Sequence, residues 1–254
     1  MWGGGALCAR IGLVFLAAAP ATAVAGDLAG YRQLMLDGQT VKWGAPVLGS
    51  GAEVTYALVA SSAEFPGAIN CRAVVPVDGL LKTSHIDATV FAAEVADAFQ
   101  QWSDAANIVF RATDPASANI LIGAEADPFG RAFTNVARSG TAPAGEPATI
   151  ARSVICLNPA SGWKVGFDGN LDVYDIGYAL MHEIGHAIGL DHPGVPGVVM
   201  DFRYREKFST LQPGDKAGVV ALYGEKAETP LVAEIGGAKL VAGVAEVGFG
   251  ASSP

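Results

Sequence analysis

The stretch HEIGHAIGLDHPGVPGVVM, residues 182–200, holds three of the four histidines in a chain of 254 residues. It closes a helix that starts near Asp175, a good N-cap, and runs through IGYALMHEIGHAIGL. Residues four apart on a helix share a face, so His182 and His186 point both imidazoles at one spot. Gly189 stands three residues further on, where glycine accepts the left-handed backbone that reverses a chain without steric cost. Beyond that reversal His192 can return to the same spot.

Three converging imidazoles are a ligand set for zinc, which takes a tetrahedral shell and in catalytic sites keeps its fourth position for water. Glu183 directly follows the first histidine, which sets its carboxylate beside such a water rather than on the metal, the place of a general base. With this composition H-E-x-x-H arises by chance in roughly three of a thousand such chains, and with Gly189 and His192 added in about five of a million. Buried structural histidines therefore compete poorly as an explanation. Met200 lies eight residues past His192 and Tyr204 four residues further.

Composition sets the frame. At 51% hydrophobic and 16% charged, the chain has material for one real core. Residues 1–25 read as a signal peptide: Arg10, the apolar run IGLVFLAAA, Pro20, then small residues with cleavage after Ala25. The run Ile11 to Ala19 falls far short of the roughly 20 residues that a spanning helix needs, and Cys8 precedes it, against a lipoprotein. Without Arg10 the chain keeps a formal charge of about −10, which argues against nucleic acid or an anionic membrane as partner. Cleavage also leaves Cys71 and Cys156 as an even pair, read as a disulfide in an exported protein, with a Cys71 thiolate on the metal as the rival reading.

Along the chain, residues 26–52 form a lead-in with turns, 53–224 the main domain and 225–254 a Gly-rich tail. Strands are expected at EVTYALVA, NIVFRA, ANILIGA, GRAFTNVA and TIARSVICLN. Residues 86–103 repeat Val90, Phe91, Val95, Phe99 and Trp102 at helical spacing, and TLQPGDKAGVVALYG gives a third helix with Pro213 and Asp215 in its first turn. The stretch from Ser61 to Ser84 reads as a long connection. The tail carries Glu234, Lys239 and Glu246, so it makes no clean membrane span, and added strands or a mobile tail are equally open.

HEIGHAIGLDH resembles the H-E-x-x-H-x-x-G-x-x-H signature of metzincin peptidases. MDFRY resembles the methionine turn of the matrixin branch, and VTYALV, AFQQWSD, ANILIGA, YDIGYALMHEIGHAIGLDH and the closing ALYG stand in matrixin order over about residues 53–224. Astacins are less similar, with a tyrosine where this chain has Phe202. Serralysins share Pro193 but have a longer stretch before the methionine. The resemblance implies an α+β metzincin catalytic domain, a twisted mixed sheet with three main helices. It implies one catalytic zinc on His182, His186 and His192, Glu183 as catalytic base, and Met200 as a floor below the metal. Tyr204 would wall the pocket for the residue after the cut, and an extended protein or peptide substrate would lie along an edge strand, GRAFTNVA.

This chain also departs from the matrixin pattern. Cys71, in NCRAVVP, matches the P-R-C-G-x-P-D propeptide cysteine of animal matrixins poorly. Only His85 remains for the second, structural zinc those proteins hold, so none is expected. Calcium is a candidate at Asp168, Asn170 and Asp172, which alternate as oxygen donors in GFDGNLD, although an Asx-rich turn is the favoured reading. The resulting expectation is an exported, extracytoplasmic zinc endopeptidase. The rival is a catalytically silent zinc-binding or adhesion module on the same fold, against which an intact Glu183 speaks. Cleavage preference and oligomeric state are not legible.

Overall fold

The computed structural model describes residues 30–226 and the backbone of a hairpin, Val232–Ile235 antiparallel to Ala238–Val241. The hairpin lies in the tail, where strands were one of two open readings. The expected signal segment, 1–25, lies outside the described residues. Among the described residues no helix is long and apolar enough to cross a membrane.

The main sheet is built from β1 (Gln39–Lys42), β2 (Ala52–Leu58), β3 (Ala73–Val75), β4 (Ile108–Ala112), β5 (Ile120–Glu125), β6 (Ala132–Ser139) and β7 (Ala148–Leu157). Its central order is β4-β2-β5-β7-β6. The first four strands run parallel, and β6 lies antiparallel to β7 at the edge. Burial on both faces explains the composition of β5: all six residues of ILIGAE are buried, as a central parallel strand requires. β1 joins the start of β7 in parallel, Val41 opposite Ala148.

Among the described residues four helices accompany the sheet: α1 (Asp78–Ser84), α2 (Ala88–Ala105), α3 (Ile176–Ala187) and α4 (Pro213–Tyr223). Asp87 caps α2 by accepting from Thr89 N. Phe91, Val95, Phe99 and Trp102 are buried beneath it, each worth about 1.5–3 kcal/mol of apolar burial. Phe99 stacks on Tyr56 of β2 at 4.0 Å, and Trp102 Nε1 donates to Met181 O of α3 at 3.0 Å. This sandwich fixes α3 relative to the sheet, and α3 carries the histidines.

The opposite face of the sheet has its own small core of Val59, Val74, Leu121 and Val154 around a Cys71–Cys156 disulfide. The expected pairing is thus present, and Cys71 offers no thiolate to a metal.

The fold differs from the sequence reading in several places. β3 and α1 both lie inside the stretch read as a connection, and α1 makes four helices rather than three among the described residues. β1 and buried Trp43 belong to the sheet and core although they fall in the lead-in. Val90, counted with the buried stripe of α2, is 41% exposed.

Candidate active site

Asp175 starts α3 by accepting from Tyr178 N at 2.7 Å and ties it to a neighbouring loop by accepting from Gly166 N at 2.6 Å. The helix ends at Ala187, three residues before the expected Leu190. Gly189 turns the chain at φ +102°, and a Cβ there would run into Val41 O of β1. Leu190–Asp191 then pairs with Arg32–Gln33, and this short ladder delivers His192.

The three Nε2 atoms converge: His192 Nε2 lies 3.1 Å from that of His182 and 3.1 Å from that of His186. Each helical histidine uses its other nitrogen on a carbonyl, His182 Nδ1 on Val199 O at 2.7 Å and His186 Nδ1 on Leu190 O at 2.9 Å. A carbonyl can only accept, so each Nδ1 carries the proton and each Nε2 presents a lone pair. Burial, then the neighbouring imidazoles, lowers the pKa of all three rings, that of His186 to about 4. Neutral rings are the form that ligates a metal.

Three imidazole nitrogens at this separation suit a shared cation. Zinc held at about 2.0–2.1 Å by three nitrogens at tetrahedral angles sets them roughly 3.4 Å apart, within a few tenths of the observed spacing. Among the described residues this is the one cluster of its kind, so His182, His186 and His192 together could hold a metal ion.

Glu183 is buried at 7% exposure beside them. Burial raises the pKa of its carboxyl, while the neighbouring His182 and a hydrogen bond from Thr134 act the other way. Thr134 Oγ1 donates to Glu183 Oε2 at 2.7 Å from the edge strand β6.

Met200 lies beneath the site, 2% exposed, its Sδ so close under Gly185 that a Cβ there would overlap it. Its turn is fixed from α4: buried Asp215 accepts from Val199 N at 2.8 Å, Met200 N at 3.0 Å and Gln212 N at 2.9 Å. Val199 in turn supplies the carbonyl that orients His182, so α4 reaches the histidines through one residue.

Tyr204 stands in the cleft wall, stacked on Tyr174 at 4.2 Å and edge-on to Tyr178 at 5.2 Å. Its hydroxyl accepts from Asp175 N at 2.9 Å and donates to Glu206 Oε1 at 2.8 Å, which Lys164 also pairs at 2.5 Å. The cleft holds 500 Å³ and is lined by the three histidines, Thr134, Tyr178 and Tyr204, among others. A larger groove of 810 Å³ between α2 and the start of α3 contains none of the histidines. Size alone would choose the wrong cavity here; the converging ligands choose the smaller one.

Asp191, next to His192, also lines the cleft, whereas the other candidates, His85 and the GFDGNLD loop, lie outside it. Asp191 accepts from its neighbour His192 N at 2.8 Å and pairs with Arg32 at 3.3 Å. His85 is exposed and ends α1 at φ 55°. Asp168 and Asn170 form successive Asx turns, accepting from Asn170 N at 2.9 Å and Asp172 N at 3.1 Å, and Lys164 pairs with Asp168. GFDGNLD thus forms an Asx-rich turn.

Two residues at the site were not singled out by sequence. Thr134 gave no signal beyond a strand, and Asp215 read only as a first-turn acid.

A mixed sheet with an edge strand over an H-E-x-x-H helix, a third histidine after a glycine turn and a methionine floor defines a metal-site protein of the metzincin type. Consistent with this, residues 80–224, more than half of the chain, match the family model of the matrixin peptidases, and the chain belongs to the matrixin family. Mouse matrilysin is 29% identical over 154 residues, 57% of this chain and 55% of that protein. Human matrix metalloproteinase-20 is 29% identical over 133 residues, 51% of this chain and 27% of that protein. A probable matrix metalloproteinase of invertebrate iridescent virus 3 is 36% identical over 83 residues, 31% and 22% of the two chains. The chain thus spans about half or less of the length of these curated relatives.

Proposed function

We propose that this protein is a zinc-dependent endopeptidase that hydrolyses peptide bonds in proteins, with His182, His186 and His192 holding the metal and Glu183 acting as general base. The observation that carries the reading is the convergence of three Nε2 atoms beside a buried carboxyl group. When bound, zinc supplies Lewis acidity to the attacking water and to the scissile carbonyl. Glu183 accepts a proton from that water as its oxygen adds to the carbonyl carbon, and delivers it to the amide nitrogen as the C–N bond breaks.

β6 pairs only with β7 among the described residues, so its other edge is free to take an extended peptide as a further strand. Tyr204, pinned between Asp175 and Glu206, walls the pocket for the residue after the cut. The Cys71–Cys156 disulfide supports an extracytoplasmic location, since such bonds persist in oxidising compartments.

The test is metal removal. Purified protein carries about one zinc per chain; chelation abolishes cleavage of casein and zinc restores it. Undiminished cleavage by zinc-free protein would overturn the reading. A cleavage profile on a peptide library then defines the preference.

A further inference from the structure

We propose that Thr134 is a positioning residue for Glu183, holding one carboxylate oxygen so that the other faces the reacting water. This rests on the endopeptidase reading above. β6 crosses the site with its side chains alternating: Asn135 turns to the far face, where its Nδ2 donates to Cys71 O at 2.8 Å, and Thr134 turns inward. Its Oγ1 lies 2.7 Å from Glu183 Oε2 and 3.0 Å from Glu183 O. A hydroxyl has one proton, and an ionised carboxylate is the stronger acceptor, because charge-assisted bonds are roughly twice as strong as neutral ones.

Thr134 is the partner the structure gives the Glu183 carboxylate, and it engages Oε2 alone. Oε1 makes no hydrogen bond to a described residue and is not among the enclosed unpartnered atoms. The two oxygens therefore have separate tasks: Oε2 is anchored and Oε1 is left to take and return the proton. Without the anchor, the flat torsion about the terminal carboxyl bond lets the group swing within the cleft.

The anchor also depends on strand register. A slip of β6 by one residue would turn Thr134 away from α3. The contact of Asn135 with Cys71, itself joined to Cys156 of β7, opposes that slip from the other face.

The test compares zinc-loaded full-length parent, Thr134→Val and Thr134→Ser on one peptide substrate. Thr134→Val keeps the shape and loses the hydroxyl, so kcat falls by about 10- to 100-fold, the range seen for groups that orient metal ligands, with KM within about twofold and zinc content unchanged. Thr134→Ser restores most of kcat. In crystals of the metal-free proteins, the Glu183 carboxylate keeps one orientation in the parent and in Thr134→Ser and loses it in Thr134→Val. A Thr134→Val enzyme with parental kcat, a loss carried by KM, or a Thr134→Ser enzyme as slow as Thr134→Val would overturn the proposal. An inactive parent would instead defeat the endopeptidase reading, and the crystallographic comparison would still decide whether Thr134 orients Glu183.

Discussion

Each imidazole on α3 divides its two nitrogens between a carbonyl and the shared point, and that division is what makes the cluster fit to hold a metal. The spacing of His182, Glu183, His186 and His192 was legible because it follows from helix geometry and one glycine reversal. Thr134 was not, because its meeting with Glu183 depends on which face of β6 it takes, and register is a property of two strands rather than one. Gly185 is a case between these. Its place in the motif reads as a free position, yet the structure sets Met200 Sδ directly beneath it and Trp102 Cζ2 3.0 Å from where a Cβ would be. Gly185→Ala should overpack this floor and lower stability by about 1–3 kcal/mol, read as a shift of the urea midpoint, despite the higher helix propensity of alanine. A midpoint at or above the parent's would show that the floor yields freely.

The long elements α2, α3, α4, β5 and β7 were legible from periodicity and caps; the elements that escaped gave weak local signals. α1 has seven residues, and its N-cap, Val77, makes no side-chain hydrogen bond, so nothing in the sequence marks its start. β1 ends in fully buried Lys42, a residue that argues against a core strand until its ammonium is seen donating to Trp43 O at 2.7 Å and Ala45 O at 2.8 Å. The link between α4 and the methionine turn is of the same tertiary kind. Asp215 accepts three backbone N–H groups, two of them from Val199 and Met200. Asp215→Ala leaves these donors buried without partners, each costing about 1–3 kcal/mol. It should therefore cost about 3 kcal/mol or more in urea unfolding and weaken zinc retention, because Val199 O orients His182. Parental stability with parental zinc affinity would contradict the link.

On the scale of the whole molecule, the sheet separates two cores, a large one beneath the helices and a small one closed by the disulfide. The bond joins residues 85 apart, and chain entropy alone sets its contribution at about 4.5 kcal/mol. Replacing both cysteines by serine should lower unfolding free energy by about 2–5 kcal/mol in urea, and reductant should do the same to the parent and nothing to the variant. Equal midpoints for parent and variant would show that the small core holds without its staple. The cysteine count and the motif were legible in the sequence; the second core was not, since it assembles from β2, β3, β5 and β7 only once the sheet is formed. In the proposed mechanism Glu183 moves the proton for a metal held by three histidines, and the deciding measurement is the activity of zinc-loaded Glu183→Gln on casein. The variant should carry about one zinc per chain, fold as the parent does and lose nearly all cleavage; cleavage at the parental rate would refute the role of Glu183.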